Sequence, residues 1–140
     1  MEIKQLSSAL RSVISALHKS LRKQGYTTSA YSMTEMETIG HLTRHDSLLP
    51  TELAALTRVK NQSMSQILNK LEQNKLVKRT PSKEDKRKVG ISLTASGKKM
   101  VDKTIDERDE WLRTKIEQTL SAKEKELLEK ALPVLSKLLG

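Results

Sequence analysis

From Ile3 to Leu21 the apolar residues Ile3, Leu6, Leu10, Val13, Ile14, Leu17 and Leu21 fall at three- and four-residue intervals, the stripe of one helical face. Gly25 and the polar run Thr27-Thr28-Ser29 end that helix. Ser32-Met33-Thr34-Glu35 has the form of a capping box and predicts a short helix with Met36, Ile39 and Leu42 inward, ending near His45-Asp46-Ser47. Pro50 suits the first turn of a second short helix, Thr51 to Leu56, where its missing N–H is not needed. Asn61 is a good N-cap for a third, roughly Gln62 to Asn74. The period then becomes two. Val77, Arg79 and Pro81 alternate with polar neighbours, as do Val89, Ile91 and Leu93, and the polar stretch Ser82 to Lys88 lies between them, which predicts a β-hairpin. Thr94 caps a long helix, about Ala95 to Thr119, with Val101, Ile105, Leu112, Ile116 and Leu120 on its apolar face. Ser121-Ala122-Lys123-Glu124 is a second capping box, opening a Leu-rich last helix that Pro133 interrupts.

Charge changes this picture most. The chain has 140 residues and a net charge of +9. Residues 58–103 hold 13 Lys and Arg against 4 Asp and Glu, so this stretch carries the whole excess and the rest sums to zero. A cationic face on one structural unit selects a polyphosphate backbone, because each Lys or Arg that neutralises a phosphate releases a condensed counterion. The absence of cysteine excludes disulfides, thiol chemistry and zinc fingers. No run is long or apolar enough for a signal peptide or a membrane span, so the expected location is cytoplasmic. No Ser/His/Asp constellation, Gly-rich phosphate loop or coherent carboxylate pair is present, which argues against an enzyme and against a bound cofactor.

Two short helices followed by a charged hairpin make a helix-turn-helix with a wing, whose second helix enters the major groove nose first. The Gln62 helix sets Met64, Ile67, Leu68 and Leu71 on one side. Gln62, Gln66, Asn69 and Gln73 fall opposite, flanked by Ser65 and Lys70. Amides and hydroxyls are what base edges pair with, and the N-terminal positions Gln62, Ser63, Ser65 and Gln66 reach deepest. Arg58 and Lys60 precede the helix within phosphate reach. In the hairpin loop, Lys83, Lys86, Arg87 and Lys88 supply cations for the adjacent minor groove, and Asp85 pairs with Arg87 to fix the turn. The plain alternatives are a solvated helix face and a charge run that keeps a hairpin soluble.

Residues 31 to 97 resemble the MarR family of winged-helix transcription regulators. The stretch Asp85-Lys86-Arg87-Lys88-Val89-Gly90-Ile91-Ser92-Leu93-Thr94-Ala95-Ser96-Gly97 is similar to the family's wing pattern: Asp-x-Arg, three residues, an apolar, x, Leu-Thr, two residues, Gly. Thr51-Glu52-Leu53-Ala54 and Leu71-Glu72-Gln73-Asn74-Lys75-Leu76-Val77 resemble its helix-turn-helix. Three positions depart from the pattern. Lys75 stands where the family usually has Gly, leaving Asn74 to take the left-handed conformation. Leu49 replaces a capping Ser or Thr, and Met36 an aromatic.

The fold expected is thus mainly α with a small β-hairpin wing: one domain, with a winged helix-turn-helix over 31–98 flanked by helical dimerisation parts at 1–25 and 99–140. The resemblance implies a homodimeric repressor reading a pseudo-palindrome of double-stranded DNA. Leu6, Leu10, Leu132, Leu135 and Leu138 are the candidates for a shared core. It also implies release by a small-molecule effector, for which His18, Arg22, Tyr26, Met33, Met36 and Trp111 are the candidate lining. Glu37, His41 and His45 share one helix face, but the first and third are about 12 Å apart along the axis, too far to share one metal ion without distortion. The rival readings are a sequence-nonspecific architectural DNA-binding protein and a winged module that docks an acidic protein.

Overall fold

The computed structural model describes residues 1–25, 30–82 and 84–140. The expectations resting on Tyr26, Thr27, Thr28, Ser29 and Lys83 therefore lie outside the described residues. The elements run α1 (Ile3–Arg22), α2 (Met33–Arg44), α3 (Pro50–Thr57), α4 (Asn61–Gln73), β1 (Val77–Pro81), β2 (Val89–Leu93), α5 (Ala95–Thr119) and α6 (Ala122–Ser136), closed by a 3₁₀ turn Lys137–Leu139. They divide into two compact units: Gly25–Ile105, and Met1–Gln24 with Asp106–Gly140. This is a mainly helical winged helix-turn-helix fold.

Among the described residues, the first unit holds the entire hydrophobic core. Ile39 and Leu42 from α2, Leu53 and Ala54 from α3, and Met64, Leu68 and Leu71 from α4 pack with Leu76, Val77, Ile91 and Leu93 from the hairpin and its approach. Each such fully buried Leu or Ile contributes about 2 kcal/mol over an exposed one. The predicted hairpin forms and is antiparallel, with Val77 opposite Leu93, Arg79 opposite Ile91 and Pro81 opposite Val89. Leu48 adds a bridge to its free edge, exchanging both backbone hydrogen bonds with Ile91 at 3.0 and 2.7 Å. In the second unit no described residue is buried. Ile3, Leu6, Val13, Ile14 and Leu17 of α1 stand exposed, as do Leu127, Leu132, Val134 and Leu138 near the C-terminus.

Both capping boxes form. Glu35 N–H donates to the Ser32 hydroxyl at 3.1 Å while the Glu35 carboxylate accepts Ser32 N–H at 2.7 Å. Ser121 and Glu124 repeat the arrangement at 3.2 and 2.9 Å. At α3, Leu49 has no side-chain oxygen to offer, and only the returning half survives, with Glu52 accepting Leu49 N–H at 2.9 Å. Helix α6 continues across Pro133 to Ser136, so the proline does not end it.

Three expectations at the ends of the short helices need correcting. Asn61 is not the N-cap of α4: Lys60 is, with extended backbone and no side-chain bond, because its carbonyl already accepts Met64 N–H at 3.0 Å. The recognition helix ends at Gln73, and Asn74 stays at φ −83°. Lys75 takes the left-handed conformation instead, at φ 62°. Its N–H bonds to Glu72 O at 2.9 Å and Leu76 N–H to Leu71 O at 3.0 Å, a Schellman motif sealed by the buried Leu71 and Leu76. Helix α3 ends the same way at Arg58, φ 59°, with Arg58 N–H to Ala55 O at 3.3 Å and Val59 N–H to Ala54 O at 3.0 Å. Each motif puts a cation where the helix carbonyls favour one, which offsets part of the strain of a non-glycine residue there. Lys75→Gly should therefore raise stability by about 1 kcal/mol, read as a higher urea midpoint at unchanged slope. A loss of stability would mean that the Lys75 side chain outweighs its backbone strain.

Candidate nucleic-acid interface

The buried side of α4 is Met64, Leu68 and Leu71, with Ile67 half-buried against the same core. That anchorage turns Gln62, Ser63, Ser65 and Gln66 outward, all exposed. The first turn carries no acidic residue. Its free N–H groups, together with exposed Arg58 and Lys60, make the tip of the helix attractive to an anion.

The predicted Asp85–Arg87 pair forms in the wing loop. Asp85 accepts the Arg87 backbone N–H at 3.0 Å and its guanidinium Nε at 3.2 Å. Those bonds, the side-chain one first, hold the Asp85 carboxyl below its ordinary value. Lys88 N–H to Asp85 O at 2.9 Å and Ser82 N–H to Lys88 O at 2.7 Å close the turn. The Arg87 side chain remains 91% exposed, so the pair aims it without burying it. Lys86 and Lys88 are exposed beside it.

Two predicted contacts are engaged within the fold. Asn69 Oδ1 accepts from Arg79 Nη2 at 3.1 Å, and Arg79 also pairs with Glu72 at 3.2 Å, which ties α4 to β1. Lys70 donates to the Glu35 carboxylate at 2.9 Å and to the Ala30 carbonyl at 3.3 Å, with its ammonium 5.2 Å from the centre of the Tyr31 ring. Burial raises the Glu35 carboxyl, but the Ser32 N–H and then the Lys70 ammonium more than offset it and hold it below its ordinary value. Arg79 was not among the residues singled out from sequence; its place in the alternating strand gave it no distinguishing signal.

The effector candidates divide between the two units. Met33, exposed, and Met36, half-buried, belong to Gly25–Ile105. His18, exposed, and Arg22 and Trp111, half-buried, belong to the other. In that second unit Arg108 lies one turn before Trp111. Burial and then the neighbouring Arg22 charge push its guanidinium below its ordinary value, and its Nε has no hydrogen-bond partner among the described residues. The supposed metal face separates: His41 stands 3.9 Å from Glu37, while His45 closes α2 in extended backbone and lines a cavity of about 610 Å³. That cavity, between the end of α2, the base of the hairpin and the start of α5, contains none of the effector candidates.

A helix-turn-helix with its second helix exposed along a polar face, followed by a cationic hairpin, defines a winged-helix nucleic-acid-binding protein. A family model described as the MarR family matches residues 31–88. The Bacillus subtilis HTH-type transcriptional regulator YfiV is 30% identical over 108 residues, 77% of this chain and 67% of its own length. The crystal structure of a MepR mutant from a multidrug resistant S. aureus clinical isolate matches with TM-score 0.72 at 30% identity, covering 95% of this chain and 97% of that one. That of the transcriptional regulator Tm0710 from Thermotoga maritima matches at 0.82, with 18% identity over 97% and 94%. The chain belongs to the MarR family of transcriptional regulators, proteins that bind DNA and are not enzymes. No helix among the described residues is long and apolar enough to cross a membrane.

Proposed function

We propose that this protein is a cytoplasmic, homodimeric repressor that reads a pseudo-palindromic site in double-stranded DNA. The observation that carries sequence reading is the exposed row Gln62, Ser63, Ser65 and Gln66 at the free tip of a helix whose other side is locked into the core. Their amides and hydroxyls match base edges, while Arg58, Lys60, Lys86, Arg87 and Lys88 supply phosphate and minor-groove contacts. The exposed apolar stripes of α1 and α6 support a dimer, since a second copy is the partner a two-fold operator demands. In such a dimer the two recognition helices lie about 34–36 Å apart, one turn of DNA. A dimer seated on a promoter blocks access to it. The closeness of Arg22 to a half-buried Arg108, one turn before Trp111, supports control by a small-molecule effector bound in the helical unit.

Selection of bound duplexes from a random pool, in about 150 mM salt to suppress purely electrostatic binding, tests the reading. A two-fold symmetric motif favoured by roughly a thousandfold over random duplex supports it. Retention without a motif favours an architectural protein instead. On the selected site, Arg87→Ala should weaken binding to every duplex and reduce the salt slope by about one. Gln66→Ala should instead change which bases are preferred; an equal loss across all sequences removes Gln66 from base reading.

A further inference from the structure

Lys70 sits on α4, four residues past Gln66, with the sign and exposure of a phosphate contact. Its surroundings point elsewhere. Its ammonium is shared between the Glu35 carboxylate at 2.9 Å and the Ala30 carbonyl at 3.3 Å, over the Tyr31 ring. One helical turn on, Asn74 Nδ2 donates to the Tyr31 hydroxyl at 3.0 Å. Glu35 is 6% exposed, and the same Oε1 that receives Lys70 also accepts Ser32 N–H, so its charge is held at the N-cap of α2. A buried carboxylate without a counter-ion is costly, so Lys70 cannot leave for a phosphate without a penalty. Ala30 and Tyr31 lie on the segment that joins α1 to α2.

We propose that Lys70 and Asn74, through Glu35, Ala30 and Tyr31, form a latch that fixes the C-terminal half of the recognition helix to the α1–α2 connection. Lys70 is then a positioning residue and not a DNA contact. The C-terminal half of the recognition helix is held by two different neighbours: Arg79 ties Asn69 and Glu72 to β1, and the latch ties Lys70 and Asn74 to the connection. Release of the latch therefore loosens the C-terminal half of the helix that is proposed to read DNA. The proposal rests on the DNA-reading role of α4 argued above.

The test compares Glu35→Gln, Lys70→Gln and the double variant with the parent chain on the selected duplex, across a salt series and well below the melting temperature. Glutamine at 35 still completes the capping box, so that substitution removes the charge and keeps the cap. The expected result is a loss of roughly fivefold in affinity for each single variant, a double variant no worse than the weaker single, and an unchanged salt slope. Amide hydrogen exchange in the last turn of α4 should quicken in the same variants without DNA present. Tyr31→Phe, which removes only the bond to Asn74, should quicken it to a smaller degree and serves where the charge variants fold poorly. If Lys70→Gln lowers the salt slope by about one and Glu35→Gln tightens binding, Lys70 is a phosphate contact and the latch is wrong. Lower melting temperatures with unchanged affinity and exchange also overturn it, leaving a stabilising ion pair alone. If the parent chain retains no duplex, the DNA-reading role fails, and the exchange measurement still decides whether the latch exists.

Discussion

Gly97→Ala is expected to destabilise the winged unit by about 3 kcal/mol. A methyl group there overlaps the Leu76 carbonyl oxygen and crowds Leu93 Cδ2 at 3.1 Å. Neither neighbour is free to move. Leu76 O accepts Thr94 N–H at 3.0 Å, and Leu76 is itself the buried closing residue of the Schellman motif after α4. Gly97 N–H donates to the Thr94 hydroxyl at 3.0 Å, and that hydroxyl donates to Lys75 O at 2.6 Å. The first turn of α5, its cap and the end of the recognition helix are thus one hydrogen-bonded junction, and the absent Cβ is the space in which they meet. Gly90→Ala is the control. Its methyl meets the Ser47 hydroxyl, the tip of an exposed side chain that can rotate away, so the expected cost is under about 1 kcal/mol. Urea unfolding of the two variants measures the difference. Equal midpoints would mean that α5 shifts freely and that the junction is not rigid.

What was legible from sequence was what depends on near neighbours. The capping boxes at Ser32 and Ser121 formed because both partners lie within one turn. The hairpin followed from two short alternating runs around a wholly polar stretch. The Asp85–Arg87 pair is two residues apart in a loop that leaves it little else to meet. Sequence was silent where distant parts converge. The partner of Lys70, Glu35, lies 35 residues earlier and served in sequence only as a cap. Arg79, which donates to the Asn69 oxygen, comes from the next element. Asn74 was expected in the left-handed position on residue preference, yet the buried pair Leu71 and Leu76 sets the length of the Schellman motif and assigns that position to Lys75. A pattern fixes which face is apolar; it does not say which distant side chain will arrive against the polar one.

The proposed homodimer predicts that a variant unable to pair loses more DNA affinity than one lacking any single contact. Leu132→Asp with Leu138→Asp is expected to lower affinity for a symmetric site by roughly two orders of magnitude or more, while either half-site alone binds as weakly to the variant as to the parent. The reason lies in the distribution of burial. Among the described residues, every buried apolar side chain belongs to Gly25–Ile105, and the helical unit buries none. Leu132 is 56% and Leu138 70% exposed, so neither charge disturbs the core on which the recognition helix is built. Leu6 is exposed as well, with Leu10 and Leu135 half-buried, giving α1 and α6 apolar stripes that one chain leaves uncovered. An obligate homodimer buries about 2,000 Å² or more of such surface, and a carboxylate placed in it without a counter-ion opposes association strongly. Sedimentation and DNA titration on the same samples check the two halves of the claim. A variant that sediments as a monomer and yet holds the symmetric site at the parent's affinity would remove dimerisation from the mechanism. A variant that stays dimeric would move the shared surface away from these leucines. A monomeric variant that folds, keeps its weak half-site binding and loses the full site makes each helix read half of the operator, with the uncovered stripes of α1 and α6 joining the halves.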